Sequence, residues 1–284
     1  MDTPGRPDHP HPMLRIRHTV ALAPVPRPWL IDALEVIRTQ VEQTEADGKR
    51  LLLPDGRPLK DVRLAEGRHL RPGAVYVVGE PDDATAEKDG TRTRTAAEVE
   101  PAATARNAPV RITIGQWDRR RAVRLEVSLT DADTHVTADI ALTSPDRPRL
   151  VEARGRVRTA GGAARGRARV RLDDWWSAAE GGRTSPTAPA TARLDHRLLR
   201  AELRAAPRPG PDGESWQAHI TISLRGRSLL RPLAAVVLAV TGRWTRRAIL
   251  RELDNSAERW NTTVPSLTAM DAEHLRRALS SGAR

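Results

Sequence analysis

From Pro109 onward apolar and polar residues alternate with a period of two, and this alternation narrows most what the chain can fold into. Val123, Leu125, Val127 and Leu129 are interleaved with Arg124, Glu126 and Ser128, and Val136, Ala138, Ile140 and Leu142 with Thr137, Asp139 and Ala141. Successive side chains of a strand point to opposite faces, so the period predicts an antiparallel sheet that is apolar on one face and wet on the other. The same alternation runs through Ile112 and Ile114, through Val151, Ala153, Gly155 and Val157, through Ala168, Val170 and Leu172, and from Trp216 to Leu224. Leu194, His196 and Leu198 share one parity while Leu199, Ala201 and Leu203 share the other, which predicts a bulge at Leu198 and Leu199. Together these runs amount to about seven strands.

A one-sided sheet needs a cover. The segment SLLRPLAAVVLAVTGRW, Ser228 to Trp244, contains ten residues, Leu233 to Gly242, without a charge. A membrane-spanning helix needs roughly 20 such residues, so the segment reads as a buried helix bounded by Arg231 and Arg243. Leu229, Leu233, Val237, Val240 and Trp244 fall on one side of that helix, and Ile249, Leu253, Ala257 and Trp260 on nearly the opposite side. Either the helix bends near Gly242 or its second half meets a different neighbour. Burial of Leu233, Val237 and Val240 contributes roughly 1.5 to 3 kcal/mol each. The pattern Thr268 to Asp271 predicts a capping box and a small terminal helix.

Ahead of the sheet, residues 1–13 are rich in Pro and His and are expected to be disordered. Leu14 to Ala23 reads as a strand, and Leu30, Ala33, Leu34, Ile37 and Val41 recur at helical spacing behind Pro28. Ala74 to Glu80 is a further short strand. Residues 81–108 lack large apolar side chains and read as a mobile linker or loop. The predicted organisation is therefore 14–80 as part of the main fold, 81–108 as insertion, 109–264 as sheet plus long helix, and 265–284 as a tail. Absence of an apolar leader at the N-terminus points to the cytoplasm.

Several chemistries are excluded by composition. Without cysteine there is no disulfide, thiolate nucleophile or thiolate metal site. The net charge of +11 is almost wholly arginine, Lys49, Lys60 and Lys88 being the only lysines. The arginines are spread along most of the chain, as a compositional bias would spread them. With no Phe and a single Tyr76 the chain lacks the aromatic platforms of single-strand binding, and a nucleic-acid partner is not expected. No phosphate-binding loop, dinucleotide fingerprint or metallopeptidase motif occurs. Asp131, Asp133 and His135 lie between two strands, where acids favour turns, so no metal is expected there. Asp173 and Asp174 before Trp175 and Trp176 read as a solvated turn, and GGAARG after Ala160 as a hairpin. His196 shares an apolar strand face with Leu194 and is either a structural histidine or a polar contact for a ligand. His219 faces the polar side.

The stretch WQAHITISLRGRSLLRPLAAVVLAV with RRAILRELDNSAERW resembles the C-terminal strand and helix of START-like proteins of the SRPBCC superfamily. The resemblance is in wording over Ser215 to Trp260, in pattern over Val110 to Leu224, and looser over Leu14 to Val41. The chain departs from the family plan by its insertion after the first helix and by one additional strand. The resemblance implies an α+β helix-grip fold: a curved antiparallel sheet gripping the long C-terminal helix, with a cavity between them. That cavity would accept a hydrophobic small molecule among Leu125, Val127, Ile140, Ile220, Leu233 and Val237, with His196 as the polar contact and no cofactor. Three functions remain: a carrier of that molecule, a polyketide cyclase-like enzyme of the same fold, or an arginine-rich surface for nucleic acid or anionic lipid.

Overall fold

The computed structural model describes residues 13–79, 109–182, 185–226 and 231–281, of which Met13, 231–242, Ser280 and Ser281 are described in their backbone only. Strand β1 (Met13–Leu22) is followed by helix α1 (Arg27–Glu42) and by β2 (Glu45–Asp47), β3 (Arg50–Leu52), β4 (Pro58–Glu66) and β5 (Val75–Val78). Next come β6 (Val110–Asp118), β7 (Ala122–Asp131), β8 (Thr134–Thr143), β9 (Leu150–Thr159), β10 (Gly162–Arg171) and helix α2 (Leu172–Ala179). The chain ends with β11 (Ala190–His196), β12 (Leu199–Pro209), β13 (Trp216–Gly226), the 38-residue helix α3 (Arg231–Thr268) and α4 (Ala272–Ser281).

Among the described residues thirteen strands form one antiparallel sheet in the order β1-β13-β12-β11-β10-β9-β8-β7-β6-β5-β4-β3-β2. Every neighbour from β2 to β13 is also a neighbour in sequence, so the sheet is a meander to whose far edge β1 is added. Helix α1 must therefore carry the chain from one edge of the sheet to the other. A flat sheet of this size would hold its edges roughly 58 Å apart. The link from Leu22 to Glu45, with its helix of 16 residues, reaches at most about 50 Å when drawn out straight. The sheet is consequently curved.

Helix α3 lies along the β1 edge, on the apolar face. Ile16, opposite Ile222, is buried with Leu224 against Ile249, Leu250 and Leu253, and further along Val20 and Ala218 are buried against Ala257. At the end of β1 side chains of the helix hydrogen-bond the backbone of Ala21 and Ala23. Asn261 accepts from the Ala23 N–H at 2.7 Å and donates to the Ala21 carbonyl at 2.9 Å, while the Trp260 indole donates to the Ala23 carbonyl at 2.9 Å. A second core, Leu51, Leu64, Ala74, Tyr76 and Ile114, sits on β3 to β6, and α1 packs on α4 through Ala33, Val36 and Leu275. No helix among the described residues is long and apolar enough to cross a membrane.

Several expectations are corrected. From Pro109 onward the described residues form eight strands where about seven were expected; before residue 80 they form five, of which β1 and β5 were expected and β2, β3 and β4 were not, β2 and β3 being only three residues long. No bulge joins Leu198 to Leu199: β11 ends at His196, β12 begins at Leu199, and the change of parity is that of a tight hairpin. Leu172 is not a strand residue but opens α2, and Asp173 and Asp174 form the helix's acidic first turn, favourable at the positive end of its dipole. Asp173 pairs with Arg27 at 2.7 Å and Arg149 at 3.2 Å. The cap of α4 is Asp271, which accepts from the His274 N–H at 2.8 Å, and not Thr268, which still belongs to α3. The second half of α3 meets β1 and β13, and its backbone is helical through Gly242; the side chains of 231–242, which would show what the first half meets, lie outside the described residues. The insertion 81–108 and the first twelve residues lie outside the described residues.

Candidate functional site

The register turns the apolar parity of separate strands into continuous rows. One row runs Leu125, Ile140, Ala153, Ala168, Ala192, Leu203, Ile222 across β7 to β13. Its neighbour runs Val127, Ala138, Gly155, Gly166, Leu194, Ala201. Where the rows cross β8 to β11, most positions are Ala or Gly, so the sheet presents a low floor. The N-terminal core, which Leu125 joins, stands on one side of it. Leu203, Ile222 and α3 stand on the other. The floor is uncovered by the described side chains: Ile140 is 39% exposed, Val157 38% and Leu194 43%. A Cβ added at Gly166 would meet only Arg193 O and Leu194 Cδ1 of the adjoining strand, both at 3.8 Å, and one at Gly155 only Thr137 O at 3.4 Å.

Of the residues predicted to line a cavity, the five on strands share one face of the sheet without forming one cluster. Leu125, Val127 and Ile140 lie at one margin of the floor. Ile220 stands on β13, five strands from Ile140, and packs into the α3 wall. His196 closes a third row, Val136, Val157, Ala164, His196, at the rim. Its Nδ1 accepts from the Leu198 N–H at 3.4 Å, a contact that steadies the β11–β12 turn. The side chains of Leu233 and Val237 lie outside the described residues. No group of three or more metal-ligating side chains occurs among the described residues, and Asp131 and His135 serve the β7–β8 hairpin.

Sequence reasoning missed a polar relay beside the N-terminal core. Tyr76 Oη lies 2.9 Å from His69 Nδ1, and His69 Nε2 lies 3.0 Å from Thr44 Oγ1. The Thr44 hydroxyl donates to the Val41 carbonyl at 2.7 Å, and the Leu70 N–H donates to the Tyr76 oxygen at 2.8 Å. Because the Thr44 hydroxyl is committed to Val41, a neutral His69 has one proton order here: Nε2–H donates to Thr44, and Tyr76 donates to Nδ1. The loop that carries it closes at Gly67, whose φ is +83° and whose Cβ would lie 2.9 Å from the Ala74 Cα. That Tyr76 is the single tyrosine was the only signal in the sequence, and nothing there paired it with His69.

Burial lowers the His69 pKa below its ordinary value and raises that of Tyr76. Above about pH 7 His69 is neutral in both folded and unfolded chains and its full contribution is present. As pH falls through 6.5 the unfolded chain takes up the proton first, and stability is lost. Thermal melts are expected to show a steady midpoint above pH 7 and a fall of a few degrees towards pH 5, with a shallower fall in His69→Gln.

The opposite face is arginine-rich. Three arginines of β9 and four of β10 share the polar parity, with Glu152 their only carboxylate on those strands. On β11, hydrogen bonds from Arg193 and Arg200, both at 2.8 Å, hold the Asp195 carboxyl down at about 2. Two adjoining depressions of about 440 and 540 Å³ lie among these side chains, the first with Arg167, Arg193 and Arg204 in its walls and the second with Arg156, Arg165 and Asp139. No protein-family model and no curated protein matches the chain.

Proposed function

We propose that the chain is a helix-grip protein of START-like type that holds an apolar small molecule against the Ala and Gly floor of β8 to β11. The topology supports this reading: β1 stands beside the last strand, α1 carries the chain to the far edge, and the helix directly after the last strand lies on both. The observation that carries it is the floor, apolar, uncovered by the described side chains and bordered by Ile140, Val157 and Leu194. A protein that must exclude water from this surface needs an apolar occupant, because exposed apolar area is unfavourable at about 25 cal/mol per Å². Binding is favoured over cyclase chemistry because the floor itself bears no titratable side chain; His196 is confined to the rim. The reading requires no cofactor.

Apolar dyes and aromatic polyketide-like compounds are expected to raise the melting temperature of the wild type. A ligand at about 100 times its Kd adds roughly 2.7 kcal/mol to stability. Gly166→Leu fills the floor at a strand position whose φ suits any residue. Its melting temperature without ligand is expected to stay close to that of the wild type, while affinity drops at least about tenfold, the scale of one lost apolar contact. Equal affinity in the variant would place any ligand elsewhere and defeat the assignment, as would a wild type that binds none of the compounds.

A further inference from the structure

We propose that the polar face of β8 to β12 binds the phosphate backbone of duplex nucleic acid. This surface is the reverse of the apolar floor, and the inference stands independently of the ligand assigned there. Composition decides how many arginines a chain has; register decides what they face. Here Arg154 stands opposite Arg167, Arg156 opposite Arg165, and Arg167 opposite Arg193. Like charges directly across a strand pair are destabilising. The chain has 36 acidic residues with which to separate them, yet β9 and β10 place only Glu152 on this face, 3.6 Å from Arg169. On the flanking strands Asp139 stands opposite Arg154 and Asp195 opposite Arg165, but Asp195 is held by Arg193 and Arg200, and among the described residues Arg154, Arg156, Arg165 and Arg167 form no ion pair with a carboxylate. An array of cations that repel one another within the fold is relieved by a polyanion.

The geometry selects among polyanions. Along each strand the guanidinium stems repeat every 6.6 Å or so, and across strands about every 4.8 Å, a regular ladder over the two adjoining depressions. Arginine forks match phosphate oxygens in bidentate fashion, and stems fixed on a sheet suit an equally regular row of phosphates. Single strands are gripped by stacking on aromatic rings, and β8 to β12 turn no Phe, Tyr or Trp to this face. Membrane surfaces are held best where apolar side chains insert beside the cations. Apart from Leu150 at its margin, this face offers no apolar side chain larger than alanine. What remains is a backbone-directed contact with a duplex, without readout of bases.

The test is fluorescence anisotropy of a labelled random-sequence duplex of about 20 base pairs titrated with the full chain at about 50 to 200 mM salt. Each phosphate neutralised steepens the log–log salt dependence by about 0.9. The variant R154Q/R156Q/R165Q/R167Q is therefore expected to flatten the slope by about 3 to 4 and to weaken binding at least about 100-fold at the lowest salt. Its melting temperature should be unchanged or higher, since repulsion is removed. A control with the same loss of charge at exposed positions elsewhere, R119Q/R120Q/R121Q/R246Q, is expected to stay within about threefold of wild type. The proposal is overturned by an unbound duplex at low salt, by equal losses in the two variants, or by tighter binding of a single strand of the same length. Vesicles of phosphatidylserine and phosphatidylcholine that bind where the duplex does not would identify a membrane-facing surface instead.

Discussion

Ile16→Ala is expected to lower the unfolding free energy by about 2 to 5 kcal/mol, whereas Ile140→Ala is expected to cost under about 1 kcal/mol. The chemical change is the same at both positions, and so is the apolar face on which they stand. What differs is the cover. Ile16 is 1% exposed, opposite Ile222 and beneath Ile249 and Leu253 of α3, so truncation leaves a cavity shared by the first strand, the last strand and the long helix. Ile140 is 39% exposed at the margin of the floor, and its loss opens nothing that was closed. Urea titrations would measure both as shifts of the midpoint at constant slope. A cost for Ile140→Ala as large as that for Ile16→Ala would show that the floor is packed, and the ligand reading would go with it.

Trp176→Ala is expected to destabilise by about 3 to 5 kcal/mol. The ring is 5% exposed on α2, its Nε1 donates to the Val25 carbonyl at 2.9 Å, and the Arg27 guanidinium lies 5.4 Å from its centre. Val25 and Arg27 belong to the segment that leaves β1 for α1, so this one side chain anchors the point where the chain begins its passage to the other edge. Trp176→Phe separates the two contributions. It keeps most of the buried area and loses the hydrogen bond, and is expected to cost about 1 to 2 kcal/mol. If both variants melted like the wild type, Trp176 would be no anchor, and the passage of α1 would be held by its other contacts.

Ile16 and Trp176 differ in how much of their role is visible in the sequence. That Ile16 and Ile222 are apolar and in step with their strands is visible in the period of two, and the stripe Ile249, Leu253, Ala257 is visible at helical spacing. The contact between them joins residues more than 200 positions apart, and periodicity says nothing of that. Trp176 read as part of a turn because Asp173 and Asp174 favour turns and helix first turns alike, and an eight-residue helix is too short for its period to decide. The bulge assigned to Leu198 and Leu199 has the same origin: a parity change marks an irregularity, and a bulge and a two-residue hairpin both produce one.

What the sequence determined by itself was local: which parity of each strand is apolar, where the small residues and the arginines fall within that parity, and that a long helix follows the last strand. Side-chain direction in a strand depends only on the residue's own position, so these features survive any arrangement of the strands. Tertiary structure alone decided which strands are neighbours and in what register. That choice aligned Ala153, Ala168 and Ala192 into a floor and set Arg154 against Arg167 on its reverse. Register is settled by burial and by turn geometry between residues distant in sequence, and shifting one strand by a single residue would have turned every one of these side chains to the other face.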